Sequence, residues 1–442
     1  MNKTIWIETL GCPKNEVDSE RITSLLLRKG YRISDDRNQA DILILNTCGF
    51  IQSAKEESIE EIFNLIAVKE KYQRKKLIVC GCLAQRYPQE LWNRIPEIDG
   101  LFGLSEMNQV GTVCSSVLSG ERICRVNRLV KEDGVRRFVR SDQKRPYAYL
   151  KIADGCNNRC SYCAIPAIRG KFRSKRMEEI LEEAVQLVRG GVKEINLVAQ
   201  DTTLYGVDLY GEKKLPQLLL KMSRIPKLKW IRLLYTHPAH YSDELIDQIA
   251  SNPKVCKYVD LPLQHISDEI LTKMRRKVKR REIEQLISKL RENIPQLNLR
   301  TSFIVGFPGE TGKHFEELLD FVEGVKFDKL GAFTYSKEEG TRAYEYKSQV
   351  SAQLKQERLD QLMLSQQRIV MGKNQSKIGK AFSVLIEAES DEGDGSLTGR
   401  SQGEAPEVDG VIRIKGKCDK IGKFVKTRIV DYLDYDLIGI EI

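Results

Sequence analysis

DGCNNRCSYCAIPAIRG, residues 154–170, is the stretch on which the fold and chemistry of this chain turn. It follows an apolar, strand-like run from Tyr147 to Ile152 and precedes a basic segment from Arg169 to Arg176. Its spacing, C-x3-C-x2-C, sets Cys156, Cys160 and Cys163 on one tight turn and supplies no fourth thiolate. Cysteine thiolates are the usual holders of iron–sulfur clusters. A cube bound by only three protein sulfurs keeps one iron open for another ligand. A structural zinc site wants four ligands, commonly as two paired motifs. Here the nearest later candidates, His237, His240 and Cys256, are far beyond zinc-ribbon distance. A disulfide leaves one of the three cysteines unpaired. The loop therefore reads as an iron–sulfur site.

Working outward, residues 135–365 alternate apolar runs with helical periodicity. Strand candidates are 147–153, 194–200, 230–235, 258–263, 299–306 and 330–335, with helices such as Met177 to Arg189 and Lys313 to Glu323 between them. Six β-α units predict an open or partial TIM-like (β/α)6 barrel, whose site lies at the carboxyl ends of its strands. The cysteine loop follows the first strand, where such a site needs it. Later strand tips carry Gln200 and Asp201, Thr236 and His237, Gln264 and His265, the turn Gly306 to Glu310, and Ser336.

Residues 1–127 also alternate. TIWIETL (4–10), DILILN (41–46) and KLIVCG (76–81) read as buried strands, followed by helices near Asn15 to Lys29, Gln52 to Lys71 and Pro88 to Arg94. Such a pattern predicts a parallel α/β sheet covered on both faces. Each strand runs into a cysteine: Cys12, Cys48 and Cys82. Ligands of open α/β sheets bind at the carboxyl edge, so these three thiols are expected to converge on a second three-thiolate cluster. Cys80, Cys114, Cys124, Cys256 and Cys418 read as buried cysteines acting as small apolar residues.

From 371 onward the helical period disappears. Short strands separated by Gly and Asp turns predict a small antiparallel β-barrel of the oligonucleotide-binding kind, joined to the middle segment by a helix over Ser351 to Gln375.

The 442 residues suffice for several domains. The start, MNKTIWIETLGCPKN, lacks the apolar core of a signal peptide, and no run reaches the length of a membrane span. Eleven cysteines in such a chain point to metal or redox chemistry in a reducing cytoplasm. The net charge of +10 is concentrated in residues 128–370; the first segment is balanced and the last slightly acidic.

With both triads placed, the chain resembles the radical S-adenosylmethionine (SAM) methylthiotransferases over essentially its full length. LGCPKNEVDSE, NTCGFIQSAKEESI and LKIADGCNNRCSYCAIPAIRGKFRS carry the likeness. They are most similar to the branch that methylthiolates the β-carbon of an aspartate in small-subunit ribosomal protein number twelve; the sister branch, acting on tRNA adenosine, typically has GCQMN at Gly11–Asn15. The resemblance implies three domains: an N-terminal methylthiotransferase domain (1–127), a radical SAM core (135–365) and a C-terminal TRAM domain (371–442). It implies two [4Fe-4S] clusters, on Cys156, Cys160 and Cys163 and on Cys12, Cys48 and Cys82, and SAM as both radical source and methyl donor. An electron donor such as flavodoxin or ferredoxin is implied as well. An unactivated C–H bond offers no proton to a side-chain base, so the resemblance implies hydrogen abstraction by a 5′-deoxyadenosyl radical, with the second cluster handling sulfur.

SAM needs polar strand tips. Gln200, Gln264 and the turn at Gly306 are candidates by position, and Tyr162 is a candidate for packing on the adenine. His237, His240, His265 and His314 are left outside the catalytic set; His237 reads as a structural hydrogen-bonding residue.

The substrate can be weighed on charge. An RNA-binding barrel should be basic, whereas this one has acidic turns at 391–395 and 431–436 that suit a basic ribosomal protein. Arg169, Lys171, Arg173, Lys175, Arg176 and the run Arg275 to Arg281 are what support tRNA. A non-enzymatic scaffold with structural clusters is a third reading, but two triads each lacking a fourth ligand oppose it.

Overall fold

The computed structural model describes residues 3–72, 74–127, 145–390, 395–415 and 418–442. The acidic turn 391–395 thus falls largely outside the described residues, as does the side chain of Cys418. The chain forms two compact units. One comprises Met1–Arg140, Asp154–Arg173 and Ser336–Tyr344; the other comprises Ser141–Ala153, Ser174–Tyr335 and Glu345–Ile442.

The first unit is built on a six-stranded, all-parallel sheet. Its order is Arg32–Ile33, Thr4–Thr9, Ile42–Thr47, Lys76–Gly81, Gly100–Phe102, Ile123–Arg125. Period-2 alternation divides each strand between two cores. Ile42, Ile44 and Ile78 pack with Ile22, Leu26 and Phe102 on one face. Leu43, Leu45, Leu77 and Val79 pack with Ile62 and Leu65 on the other. Ala164 and Ile168, from the segment just after the cysteine loop, belong to the first of these cores. The three outer strands, two or three residues long, are too short to show periodicity. Cys124 lies on one of them, at the sheet edge, and is exposed. That corrects the expectation of a buried thiol there; Cys80, Cys114 and Cys256 are buried.

In the second unit six parallel strands form two adjoining sheets. Tyr147–Lys151, Glu194–Val198 and Trp230–Leu233 make one, and Tyr258–Asp260, Asn298–Val305 and Lys329–Thr334 the other. An isolated parallel bridge pairs Ile231 with Val255, just before the second sheet's first strand, and the Thr236 N–H donates to the Asp260 carbonyl of that strand. Helices such as Met177–Arg189, Leu215–Ser223, Asp243–Ser251 and Gly312–Val325 connect the strands, giving the partial barrel. The strand expected over 258–263 ends at Asp260, two residues before Pro262, which has no ladder donor.

The helix Ala352–Gln375, capped by the Ser351 hydroxyl, leads to a closed five-stranded barrel. Four of its seams are antiparallel, and the one between Ile412–Lys415 and Asp436–Glu441 is parallel. Val384, Ile386, Leu397, Ile412 and Ile429 fill it.

The loop 401–410 of this small barrel closes the amino ends of the larger barrel's strands. Arg232 donates to the Gln402 and Ser401 carbonyls, Tyr149 to the Pro406 carbonyl, and Tyr258 to the Asp409 carboxylate at 2.7 Å. Beneath it lies a buried charge network. Glu194 accepts from Arg232 Nε and from Arg400 Nη2, each at 2.7 Å, and Arg400 also pairs with Glu387. The two arginines outweigh the effect of burial and hold Glu194 below the usual carboxylate range.

Candidate functional site

The first unit places Cys12, Cys48 and Cys82 at the carboxyl ends of three adjacent strands. Thr4–Thr9 lies between a strand that follows it and one further on in sequence, which is the topological switch point where open α/β sheets bind ligands. Cys12 is the N-cap of the helix Pro13–Arg28, so its sulfur sits at the helix's amino end, while its carbonyl accepts from the Asn15 and Glu16 N–H groups. Burial pushes the Cys12 thiol up, but Lys14, Arg169 and the amides of Asn15 and Lys14 outweigh it, and the net shift is downward. Burial dominates at Cys48, which is raised, and at Cys82, pushed up to about 12. The three thiols also act on one another electrostatically.

Close approach is enforced by glycine. Gly81 has φ +95°, and a Cβ there would lie 2.3 Å from Asn46 Oδ1; one on Gly11 would lie 2.9 Å from Cys48 Sγ.

Asn15 ties the three loops together. Its Nδ2 donates to the Leu10 carbonyl at 2.9 Å and to the Thr47 carbonyl at 3.1 Å, and its Oδ1 accepts from Cys82 Sγ at 3.6 Å. Ser58 holds the Cys48 loop by bonding both its N–H and its carbonyl. Neither residue stands out in sequence, although Asn15 lies inside the quoted LGCPKN motif.

The C-x3-C-x2-C loop belongs to the same unit. It is closed by Cys156 N–H donating to the Gly170 carbonyl at 3.1 Å, and Cys163 N–H donates to the Cys160 carbonyl. The Asn158 N–H points at Cys156 Sγ at 3.4 Å. All three thiols and Tyr162 are half-buried. The Ala343 N–H, in the returning segment 336–344, donates to the Ser161 carbonyl at 2.8 Å. Glu338 fastens that segment through Arg86 at 2.7 Å and Lys55 at 2.9 Å.

Arg169 departs from expectation. It is not part of a surface for phosphate but is buried, facing Cys82, Asn15, Asp18 and Asp154. Arg276 is buried as well, donating to the Pro262 carbonyl, so the basic surface is smaller than the sequence suggests. The acidic turn 431–436 is likewise reduced, since Asp436 pairs with Arg413.

In the second unit, the strand expected over 194–200 ends at Val198; Gln200 lies two residues beyond it, and both polar atoms of its side-chain amide are buried without a hydrogen-bond partner. Gln264 sits at φ +75°, its N–H and carbonyl held by Ser302 and Ile304. Gly306, at φ +70°, gives its N–H to Glu310. Glu310 also pairs with Arg358 at 2.8 Å and faces His265.

Asp201, His237 and His240 converge closely enough to suggest a cation site. The bonding argues otherwise: His237 Nδ1 accepts from the Ala239 N–H, and Asp201 binds both His240 Nδ1, at 2.8 Å, and Thr203. His237 is therefore a structural residue.

These features fit the implied cofactors. None of the six triad cysteines is in a disulfide, and two sets of three soft donors suit iron–sulfur ligation. The Gln200 amide, buried with neither polar atom bonded, is a donor and acceptor pair of the kind a polar ligand satisfies.

Comparison with known proteins agrees. Residues 150–322 match the Radical SAM superfamily, 4–103 the group described as uncharacterized protein family UPF0004, and 378–442 the TRAM domain. The methyltransferase TsrM of Kitasatospora setae, a radical SAM enzyme solved with a SAM analogue, shares the fold at TM-score 0.55 and 16% identity, over 75% of this chain and 73% of that one. The cobalamin-dependent SAM radical enzyme OxsB does so at TM-score 0.52 and 15% identity, over 84% and 56%. Proteins named ribosomal protein uS12 methylthiotransferase RimO are far more similar. That of Desulforamulus reducens is 49% identical over 99% of both chains, and that of Clostridioides difficile 44% over 98% of both. With identity at this level from end to end, the chain belongs to the RimO family of radical SAM methylthiotransferases, which use SAM and [4Fe-4S] clusters.

Proposed function

We propose that this chain methylthiolates the β-carbon of an aspartate in ribosomal protein uS12. The observation that carries the reading is the pairing, in one compact unit, of a C-x3-C-x2-C loop with a second triad gathered from three strand ends. Cys156, Cys160 and Cys163 hold the cluster that meets SAM; Cys12, Cys48 and Cys82 hold the other. When bound, these groups supply the radical that removes hydrogen and the sulfur and methyl that replace it. The chain's part is to hold and orient. Gln200 offers its buried amide to SAM, Gln264 and Gly306 are the further strand-tip residues that hold it, and Tyr162, within the cysteine loop, serves its adenine. Asn15 and Ser58 fix the thiol-bearing loops. The domains are read as 1–127, 135–365 and 371–442. The reductant is a small carrier of the flavodoxin or ferredoxin kind, and the site of action is the cytoplasm.

The test is a competition: anaerobically reconstituted protein with SAM, reductant, uS12 and bulk tRNA, followed by mass spectrometry. A methylthio group on a uS12 aspartate is expected; one on adenosine transfers the reading to tRNA. Cys160→Ala should abolish SAM cleavage. Cys48→Ala should retain cleavage and lose the methylthio product, and loss of both in a folded Cys48→Ala protein overturns this division of labour.

A further inference from the structure

Arg169 lies six residues past Cys163, yet its guanidinium rests on a thiol of the other triad. Nη2 donates to Cys82 Sγ at 3.3 Å, to Asn15 Oδ1 at 2.6 Å and to Asp18 Oδ2 at 3.0 Å. Nη1 reaches both carboxylate oxygens of Asp154 at 3.2 Å, two residues before Cys156. The side chain is only 1% exposed, as is that of Asp18. A buried arginine with two carboxylate partners is held in one orientation, and its planar fork cannot be reproduced by lysine.

We propose that Arg169 is a positioning residue shared by the two clusters. It fixes the loop of Cys156, Cys160 and Cys163 to the second triad and directs an N–H donor at the sulfur of Cys82. Asp18 balances its charge, so the effect on the second cluster is that of an aimed hydrogen bond. Hydrogen bonds to cluster sulfurs set potential and retention; a donor favours the reduced, more negative cluster and raises its potential. This inference rests on the reading of Cys12, Cys48 and Cys82 as ligands. It also accounts for a buried cation that neither the hydrogen abstraction nor SAM binding requires.

The test uses full-length protein carrying Cys156→Ala, Cys160→Ala and Cys163→Ala, so that the second cluster alone is observed. R169Q and R169K are added, folding is checked by circular dichroism, and two quantities are read: the midpoint potential by EPR-monitored titration, and iron release to a chelator. The expected result for R169Q is a lower potential and iron release about 10-fold faster, the usual scale for loss of an outer-shell partner. R169K keeps the charge beside Asp18 but cannot serve Cys82, Asn15 and Asp154 together, so it should fall between. If R169Q does not fold, R169K decides. Unchanged potential and release in a folded variant overturn the role of Arg169 alone. A parent that holds no iron overturns the ligand assignment, and the role of Arg169 with it.

Discussion

Gln200 and Gly81 show how much single positions carry. The Gln200 amide is buried with neither atom bonded, a state that costs about 1–3 kcal/mol. Gln200→Leu should therefore leave the apoprotein at least as stable in urea while SAM affinity falls roughly 10-fold or more, from the same free energy. Equilibrium dialysis with SAM and an unfolding curve check the two halves; unchanged affinity removes Gln200 from the SAM site. At Gly81 the backbone, at φ +95° and ψ −157°, lies in a region open essentially to glycine alone, so Gly81→Ala should cost about 1–3 kcal/mol. The contact with Asn46 and Thr47 adds to that, and iron content should drop with stability. At this scale the cysteines were legible because spacing and strand ends are written in sequence. Arg169 and Asn15 were not. An arginine in a basic run reads as surface charge, and only the fold brings it 151 positions back to Asp18.

Elements were legible in proportion to their length. Strands set in longer apolar runs were visible, even the four-residue Trp230–Leu233 and the three-residue Tyr258–Asp260; those at 32–33, 100–102 and 123–125 were not, since two or three residues without such a run cannot display a period. The loop 401–410 misleads differently. SQGEAPEVDG has the composition of a solvated turn, but it is largely buried because the strands it meets present Arg232, Arg300, Tyr149 and Tyr258 to it. Polarity there answers polarity. Removing one member of a buried ion pair costs about 3–5 kcal/mol, so Arg232→Met should lower the unfolding midpoint sharply. Glu194 adds a pH dependence. Its depressed carboxylate contributes stability above the ordinary glutamate pKa of about 4.3, and that contribution is lost as pH falls through its lowered folded value. Glu387, raised by burial in the same network, works in the opposite sense. Acid titrations of stability should show a shallower fall below about pH 4 in Glu194→Gln than in the parent; identical slopes count against the network.

For the molecule as a whole, the loop 401–410 makes the small barrel part of the larger one's floor. Truncation after Lys377 should therefore do more than remove a substrate-binding module. With Arg232, Arg300 and Tyr258 stripped of their partners, the truncated chain should lose SAM binding and cooperative unfolding together. Retention of both means that the loop only rests on the barrel. The order of domains could be read from sequence, because each has its own period. That the cysteine loop belongs to the compact unit of the N-terminal sheet could not, since it depends on Ala164 and Ile168 entering a core assembled from residues 5–123.

That interleaving constrains how the chain is made. The unit that gathers both triads is assembled from 1–140, 154–173 and 336–344, so its last piece is synthesised only when about three-quarters of the protein already exists. Vectorial folding, in which an N-terminal domain is finished before the next begins, is closed to it. Until Glu338 arrives to meet Arg86 and Lys55, the nascent thiols wait in an unfinished enclosure. A finished site for metal then exists only once residue 344 has been made, and metal supplied earlier meets an incomplete enclosure.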